Sequence, residues 1–274
     1  KQPMLKDNGV WRDASWDEAL DAAAGALKTA TPAQLGFLGH PASSNEEGFM
    51  LARLAQALGT GNIDHRIKQL DFADNAVAEA FDIPVSEIAN AGDIVLVGCN
   101  IRHEMPLLHQ RIHQAVKRGA RVHAINPVDF DFSFSTATKA IVPPSQLASR
   151  LKAFGDALTA DTGSVVVLGE IAENHGNASH IRAVATALRQ AGKIKLCRLP
   201  QGANAIGLAG LGVLPEAGGK HADAMLDGSM KSFLLFGIEP QFDFSATTRA
   251  SMALHTAKVV SCTAFVTEAL KEVA

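Results

Sequence analysis

Asp93-Ile-Val-Leu-Val-Gly98, the amphipathic run from Pro106 to Lys117 closed by Gly119, and Arg121-Val-His-Ala-Ile-Asn126 decide the fold between them. The first and third are short apolar strands, and the middle run places Leu108, Ile112 and Ala115 at helical spacing. Two such strands joined by a helix make a βαβ unit, because parallel neighbours need a crossover and a helix is the usual one. The pattern returns toward the C-terminus. A helix over Ser145 to Ala160, a strand Val165–Leu168, a helix Ala178 to Ala191 and a strand Ile194–Arg198 form a second unit. Phe233–Gly237, a helix Ala246 to Leu254 and Lys258–Cys262 form a third. Toward the N-terminus, Ser15 caps a helix from Trp16 to Leu27, with Asp17 and Glu18 in the first turn where the helix dipole favours acids. Gln34–Gly39 reads as a buried strand, and Ser44-Asn45-Glu46-Glu47 caps a helix to Leu58 that Gly59 and Gly61 close. The class is α/β, with mostly parallel sheets and helices on both faces.

Composition narrows the function. The 274 residues carry 25 Lys+Arg against 28 Asp+Glu, a formal net charge of -3, with no basic stretch. That excludes a nucleic-acid partner, which needs a concentrated positive face. Charged residues are only 19%, below the roughly 25% usual for soluble chains, so a partner is expected to cover part of the surface. The longest uncharged apolar stretch, Ala203 to Pro215, is glycine-rich and shorter than the ~20 residues a bilayer requires, so no direct membrane insertion is expected. Cys99, Cys197 and Cys262 are isolated and form no CxxC, which gives neither a zinc nor an iron–sulfur motif. The chain starts at Lys1 without a signal-like segment and reads as a piece of a longer protein.

One internal echo stands out. Ile94-Val-Leu-Val-Gly98 and Leu234-Leu-Phe-Gly237 both end at a glycine followed two residues later by a polar group, Asn100 and Glu239, and then a helix. Ligands of such sheets bind at the carboxyl ends of strands, so the echo points to a two-halved nucleotide pocket, or to nothing more than two tight turns. Other motifs carry less. Gly207-Leu-Ala-Gly210-Leu-Gly212 reverses the dinucleotide spacing and lacks the Lys-Ser/Thr of a P-loop. His109 and His113 lie four apart without a third ligand and read as a solvated helix face. Ser43 and Ser44 have no nucleophile-elbow frame, and Glu46 and Glu47 read as first-turn acids.

A longer set of residues resembles a known family. Gln2-Pro-Met-Leu-Lys-Asp-Asn-Gly9 followed by Ala14-Ser-Trp-Asp-Glu-Ala-Leu20 is similar to the entry of the molybdopterin oxidoreductase domain. Leu58-Gly-Thr-Gly-Asn-Ile-Asp-His-Arg66, Ile101-Arg-His-Glu-Met-Pro-Leu-Leu108 with Arg111, and Leu199-Pro-Gln-Gly-Ala-Asn204 resemble the version in the large iron–sulfur subunit of respiratory NADH–quinone oxidoreductase, complex I. The resemblance covers residues 2 to about 270.

It implies two Rossmann-like lobes, residues 1–64 with 199–274 and residues 65–198, each receiving one echoed turn. Catalytic members of the superfamily place a cysteine, selenocysteine, serine or aspartate ligand for molybdenum or tungsten shortly after the Asn-Ile-Asp-like stretch. Here that place reads His65-Arg-Ile-Lys-Gln-Leu-Asp71. The complex I resemblance implies a retained fold with no catalytic residue, no metal ligand and no cofactor in this stretch. Gly98, Asn100, Gly237 and Glu239 would be remnants of the two pterin-dinucleotide half-sites, with Arg66 and Lys68 crowding the pocket. Iron–sulfur clusters would belong to a preceding N-terminal part. The partners would be the other peripheral-arm subunits, on the cytoplasmic face of a bacterial inner membrane, in a complex carrying electrons from NADH to quinone, with no activity of the fragment's own. The competing expectation is a working molybdenum or tungsten oxidoreductase of the formate dehydrogenase kind, with Asp71 as the ligand.

Overall fold

The computed structural model describes residues 2–158 and 163–274. Its strands are β1 (Met4–Asp7), β2 (Val10–Asp13), β3 (Leu35–Gly39), β4 (Ile63–Asp64), β5 (Asp93–Val97), β6 (Arg121–Asn126), β7 (Thr138–Ile141), β8 (Val165–Leu168), β9 (Lys195–Arg198), β10 (Ser232–Phe236) and β11 (Lys258–Cys262). The chain divides into two compact units: the residues up to Gln69 together with Gln201–Ala274, and Leu70–Pro200.

The second unit holds a five-stranded parallel sheet in the order β7-β6-β5-β8-β9. Alternate residues of a strand point to opposite faces, and both faces are covered. Ile94, Leu96, Val122 and Val167 pack with Leu108 and Ile112 of the helix Pro106–Lys117. Val95, Val97, Val166 and Leu168 pack with Leu147 and Leu151 of the helix Leu147–Asp156 and with Ile181 and Ala185 of the helix Ala178–Gln190. This explains the unbroken apolar runs: strands buried on both faces cannot alternate with polar residues.

The first unit carries a four-stranded parallel sheet in the order β11-β10-β3-β4. Leu35 and Phe37 pack on Leu27, Leu51 and Ala55 from the helices Trp16–Lys28 and Asn45–Ala57. Leu38, Phe233 and Leu235 pack on Met225, Ala250 and Leu254. Ser44 and Glu47 form the reciprocal capping box of the helix Asn45–Ala57.

Several elements differ from the sequence reading. The hairpin β1–β2 turns on Asn8 and Gly9, both at positive φ (49° and 82°), and β4 and β7 add further strands. The helix expected over residues 145–160 begins at Leu147, after a single turn of 3-10 helix at Pro144–Gln146, and is helical to Asp156, while Thr159 and Ala160 lie outside the described residues. The first boundary falls after Gln69 rather than after residue 64. Asp64 is fully buried and ties the chain just beyond β4 to the first unit, accepting from the backbone N–H groups of His65, Arg66 and Ala222. The return falls after Pro200 rather than 198, since Leu199 donates its N–H to the Leu168 carbonyl at 2.9 Å. His109 is no solvated residue: it is buried, its Nε2 lies 2.5 Å from the Phe132 carbonyl, and its ring stacks on Phe134.

Candidate functional site at the two strand-order reversals

In each sheet the strand order reverses once. In the second unit the chain runs from β5 outward through β6 to β7, and from β8 the other way to β9, so the reversal lies between β5 and β8. In the first unit it lies between β3 and β10. Outside the carboxyl ends of such a strand pair, the two connections diverge and leave a crevice where ligands of open α/β sheets bind.

The crevice of the second unit is formed by Gly98-Cys99-Asn100 and Gly169-Glu170. Gly98 has φ +53°, and a Cβ there would meet the Ala172 backbone nitrogen at 2.6 Å; one on Gly169 would meet the Cys99 Cα at 2.4 Å. The glycines let one turn lie against the other, which leaves no gap between them. Asn126 fixes the first turn: its side-chain carbonyl accepts from the Cys99 N–H at 2.7 Å and its amide donates to the Cys99 carbonyl at 3.3 Å. Glu104, at the end of the short helix Ile101–Glu104, then spans both turns. One carboxylate oxygen accepts from the Asn100 N–H at 2.5 Å, the other from the Glu170 N–H at 2.7 Å. Burial pushes the Glu104 carboxyl above its usual range, opposed by those two N–H groups, and it pushes the enclosed Cys99 thiol well above its own.

The crevice of the first unit has the same beginning and a looser finish. Gly237, exposed and at φ +68°, has as its nearest neighbours the His40 Cβ at 3.3 Å and the Ser43 hydroxyl at 3.9 Å from a built Cβ. The Glu239 N–H donates to Asp243 at 2.7 Å, and the Glu239 carboxylate accepts from the Thr267 hydroxyl. Across the crevice His40 Nε2 lies 3.7 Å from the other Asp243 oxygen, while its Nδ1 accepts from the Ala42 N–H at 3.2 Å. Although burial pushes the Asp243 carboxyl up, His40 and the Glu239 N–H hold it below the usual carboxylate range. Elsewhere in this unit, Arg66 pairs with the buried Asp64 through two bonds of 2.9 Å, so its charge is neutralised inside the unit.

The four residues singled out from the sequence thus fall in two places, Gly98 with Asn100 and Gly237 with Glu239. What sequence reading missed is the acid four positions beyond each polar residue, Glu104 and Asp243, along with Gly169, Glu170 and His40. A phosphate arriving at these turns would need the N–H groups of Asn100, Glu170 and Glu239, and the chain's own carboxylates already accept from all three. The donor set does not fit an anionic dinucleotide.

Asp71 sits in the second unit at the start of the helix Ala178–Gln190. One oxygen accepts from the Ser179 N–H at 2.7 Å and the other from the Ala73 N–H at 3.0 Å. Burial raises its pKa, but the Ser179 hydroxyl, these N–H groups and Arg182 more than offset that and hold it low. The segment it belongs to is tied down further by Arg182, which donates to both oxygens of Asp74 at 2.7 Å, and by Arg198, which donates to the Val77 carbonyl at 3.1 Å. Among the described residues no group of three or more His, Cys, Asp or Glu is placed to hold a metal ion.

Two parallel sheets flanked by helices, each with its reversal and its strand–glycine turn, define the class: an α/β domain of two units. The chain belongs to the molybdopterin oxidoreductase family, which it matches over residues 1–269. It is 29% identical over 134 residues to the F420-dependent formate dehydrogenase 1 subunit alpha of Methanococcus maripaludis, covering 46% of this chain and 20% of that protein. It is 31% identical over 121 residues to an NADH-quinone oxidoreductase subunit of Rickettsia felis, covering 43% of this chain and 18% of that protein. The matched stretch is about a fifth of these relatives' length. In fold it is similar to the acetylene hydratase of Pelobacter acetylenicus, with a TM-score of 0.52 at 13% identity, over 99% of this chain and 54% of that one. Among the described residues no helix is long and apolar enough to cross a membrane.

Proposed function

We propose that this domain is a non-catalytic scaffold of the large iron–sulfur subunit of an NADH–quinone oxidoreductase, with the electron-carrying clusters bound in another part of the subunit. It would sit in the peripheral arm against other subunits, on the cytoplasmic side of the membrane. The observation that carries this reading is the engagement of Asp71. The acid at the place where a catalytic relative offers its metal ligand has both oxygens committed to backbone N–H groups, one of them at the start of a 13-residue helix. A carboxylate favoured there by the helix dipole is poorly disposed to bind a metal instead. The two turns Gly98–Asn100 and Gly237–Glu239 are, on this reading, remnants of pterin half-sites.

The competing reading, a molybdenum or tungsten oxidoreductase using Asp71, draws on the similarity to formate dehydrogenase subunits, which is as strong as that to the NADH-quinone oxidoreductase subunit. Asp71→Asn separates the two. In the whole complex the scaffold reading expects quinone reduction within about twofold of the wild type, since a residue away from the reacting atoms stabilises no transition state. It expects a loss of roughly 0.3–1 kcal/mol of stability from the weakened helix start. Abolished activity in a fully assembled complex, or one equivalent of molybdenum or tungsten per chain by plasma mass spectrometry, would overturn it.

A further inference from the structure

We infer that Glu104 is the resident ligand of the second unit's crevice: a carboxylate built into the chain that occupies the place of an external anion and locks the β5 and β8 turns together. Three independent features of the structure converge on it. The two N–H groups it accepts from belong to turns far apart in sequence, Asn100 after β5 and Glu170 after β8, so the side chain is a crosslink and not a local cap. The turns lie main chain against main chain: a Cβ on Gly98 would meet the Ala172 nitrogen and one on Gly169 the Cys99 Cα, and the Ile171 N–H donates to the Gly98 carbonyl at 3.0 Å. Asn126 holds Cys99 by two hydrogen bonds from the neighbouring strand, fixing the turn that Glu104 grips.

The chemistry of the grip is that of an oxyanion in a pair of amides. Each carboxylate oxygen takes one N–H, a charge-assisted arrangement that an aspartate could not span and a glutamine could satisfy only on one side. The ligand class the crevice would accept, once vacated, is therefore a small carboxylate such as formate or acetate. The inference deepens the scaffold reading and rests on it only in taking the crevice to hold no external group.

The test uses the full-length protein with Glu104→Ala and Glu104→Gln. In the wild type, amide exchange at Asn100 and Glu170 should be slow, and sodium formate, acetate or inorganic phosphate should leave both the exchange and the thermal transition of this domain unmoved. Glu104→Ala should lower that transition by roughly 5–10 °C, the loss of two charge-assisted hydrogen bonds, and speed exchange at both amides by about 100-fold or more. Millimolar formate or acetate should restore part of each in this variant alone. If Glu104→Ala does not fold, Glu104→Gln decides: one of the two amides should exchange faster while the other stays protected. Wild-type protein stabilised by phosphate or formate, a Glu104→Ala protein with unchanged melting and exchange, or full protection of both amides in Glu104→Gln would each overturn the lock. None of these outcomes bears on the metal content or on Asp71→Asn, so the lock and the scaffold reading fail separately.

Discussion

The two crevices begin alike and end differently. Each follows a strand that stops at a glycine of positive φ, each presents a backbone N–H two residues on, and each meets that N–H with an acid four residues further along. In the second unit the acid reaches the opposite turn, and the glycines press backbone on backbone. In the first unit Asp243 accepts from the N–H of its own turn and faces His40 at 3.7 Å, with Lys68 also acting on its charge and Gly237 exposed. Glu104, one methylene longer than Asp243, bonds to both turns, and the main chain joins them as well, the Ile171 N–H donating to the Gly98 carbonyl at 3.0 Å. A shared origin of the two turns is thus compatible with one site locked and one only latched.

The largest effect is expected at the buried ion pair of the first unit. Asp64→Ala removes a fully buried carboxylate that satisfies Arg66 and three backbone N–H groups. Removing the carboxylate from a buried ion pair should cost about 3–5 kcal/mol, seen as loss of the folded first unit in denaturant. A milder loss would mean that the pair contributes little beyond the rest of the core.

The glycines give a sharper contrast. Gly98→Ala combines a left-handed backbone with a backbone nitrogen 2.6 Å from the new Cβ, whereas Gly237→Ala faces the same backbone penalty but a nearest neighbour at 3.3 Å. We expect about 3 kcal/mol or more for the first against roughly 1–2 kcal/mol for the second. Equal costs in equilibrium unfolding would remove the distinction between locked and latched.

The smallest expected effect lies in pH dependence, where the crevices should respond with opposite sign. Asp243 is held below the usual carboxylate range, so its contribution is present above pH ~4 and is lost as pH falls through its folded value. Buried His65 has its pKa lowered, chiefly by burial, so the first unit also loses stability as pH falls below ~6.5. Burial raises Glu104 relative to the unfolded chain, so its contribution declines as pH rises from ~4.5 through the folded value, above which the carboxylate is ionised. Asp243→Asn should flatten the acid limb of the thermal profile by a few degrees, and Glu104→Gln should leave that limb in place. A profile unchanged by Asp243→Asn would show that the latch carries no stability.

The sheets were legible because parallel strands buried on both faces leave continuous apolar runs such as Ile94–Val97 and Val165–Leu168. The paired turns were legible because glycine, spacer and polar residue sit on one short stretch. Glu104 and Asp243 were not, since the role of each depends on which turn lies within its reach, a matter of strand order. Gly169 was hidden for the same reason: nothing near it in sequence says that Cys99 will press against it. The hairpin at Asn8-Gly9 could have been read, as that dipeptide is the usual signal of a two-residue turn between strands. His109 looked solvated because the loop that covers it, Phe130 to Phe134, has no regular pattern.

Strand order also sets a schedule. The second unit is a continuous stretch, Leu70–Pro200, and can be complete as soon as that stretch has left the ribosome. The first cannot: β3 is formed early in synthesis, yet its partner on the reversal side, β10, arrives only with Ser232–Phe236. Until then one edge of β3, carrying Phe37 and Leu38, has no strand to pair with, and the helix Asn45–Ala57 covers a single face. The nascent chain therefore passes through an interval in which a finished unit is tethered to an unfinished one. In that interval a chaperone or a neighbouring subunit would find an open sheet edge to bind.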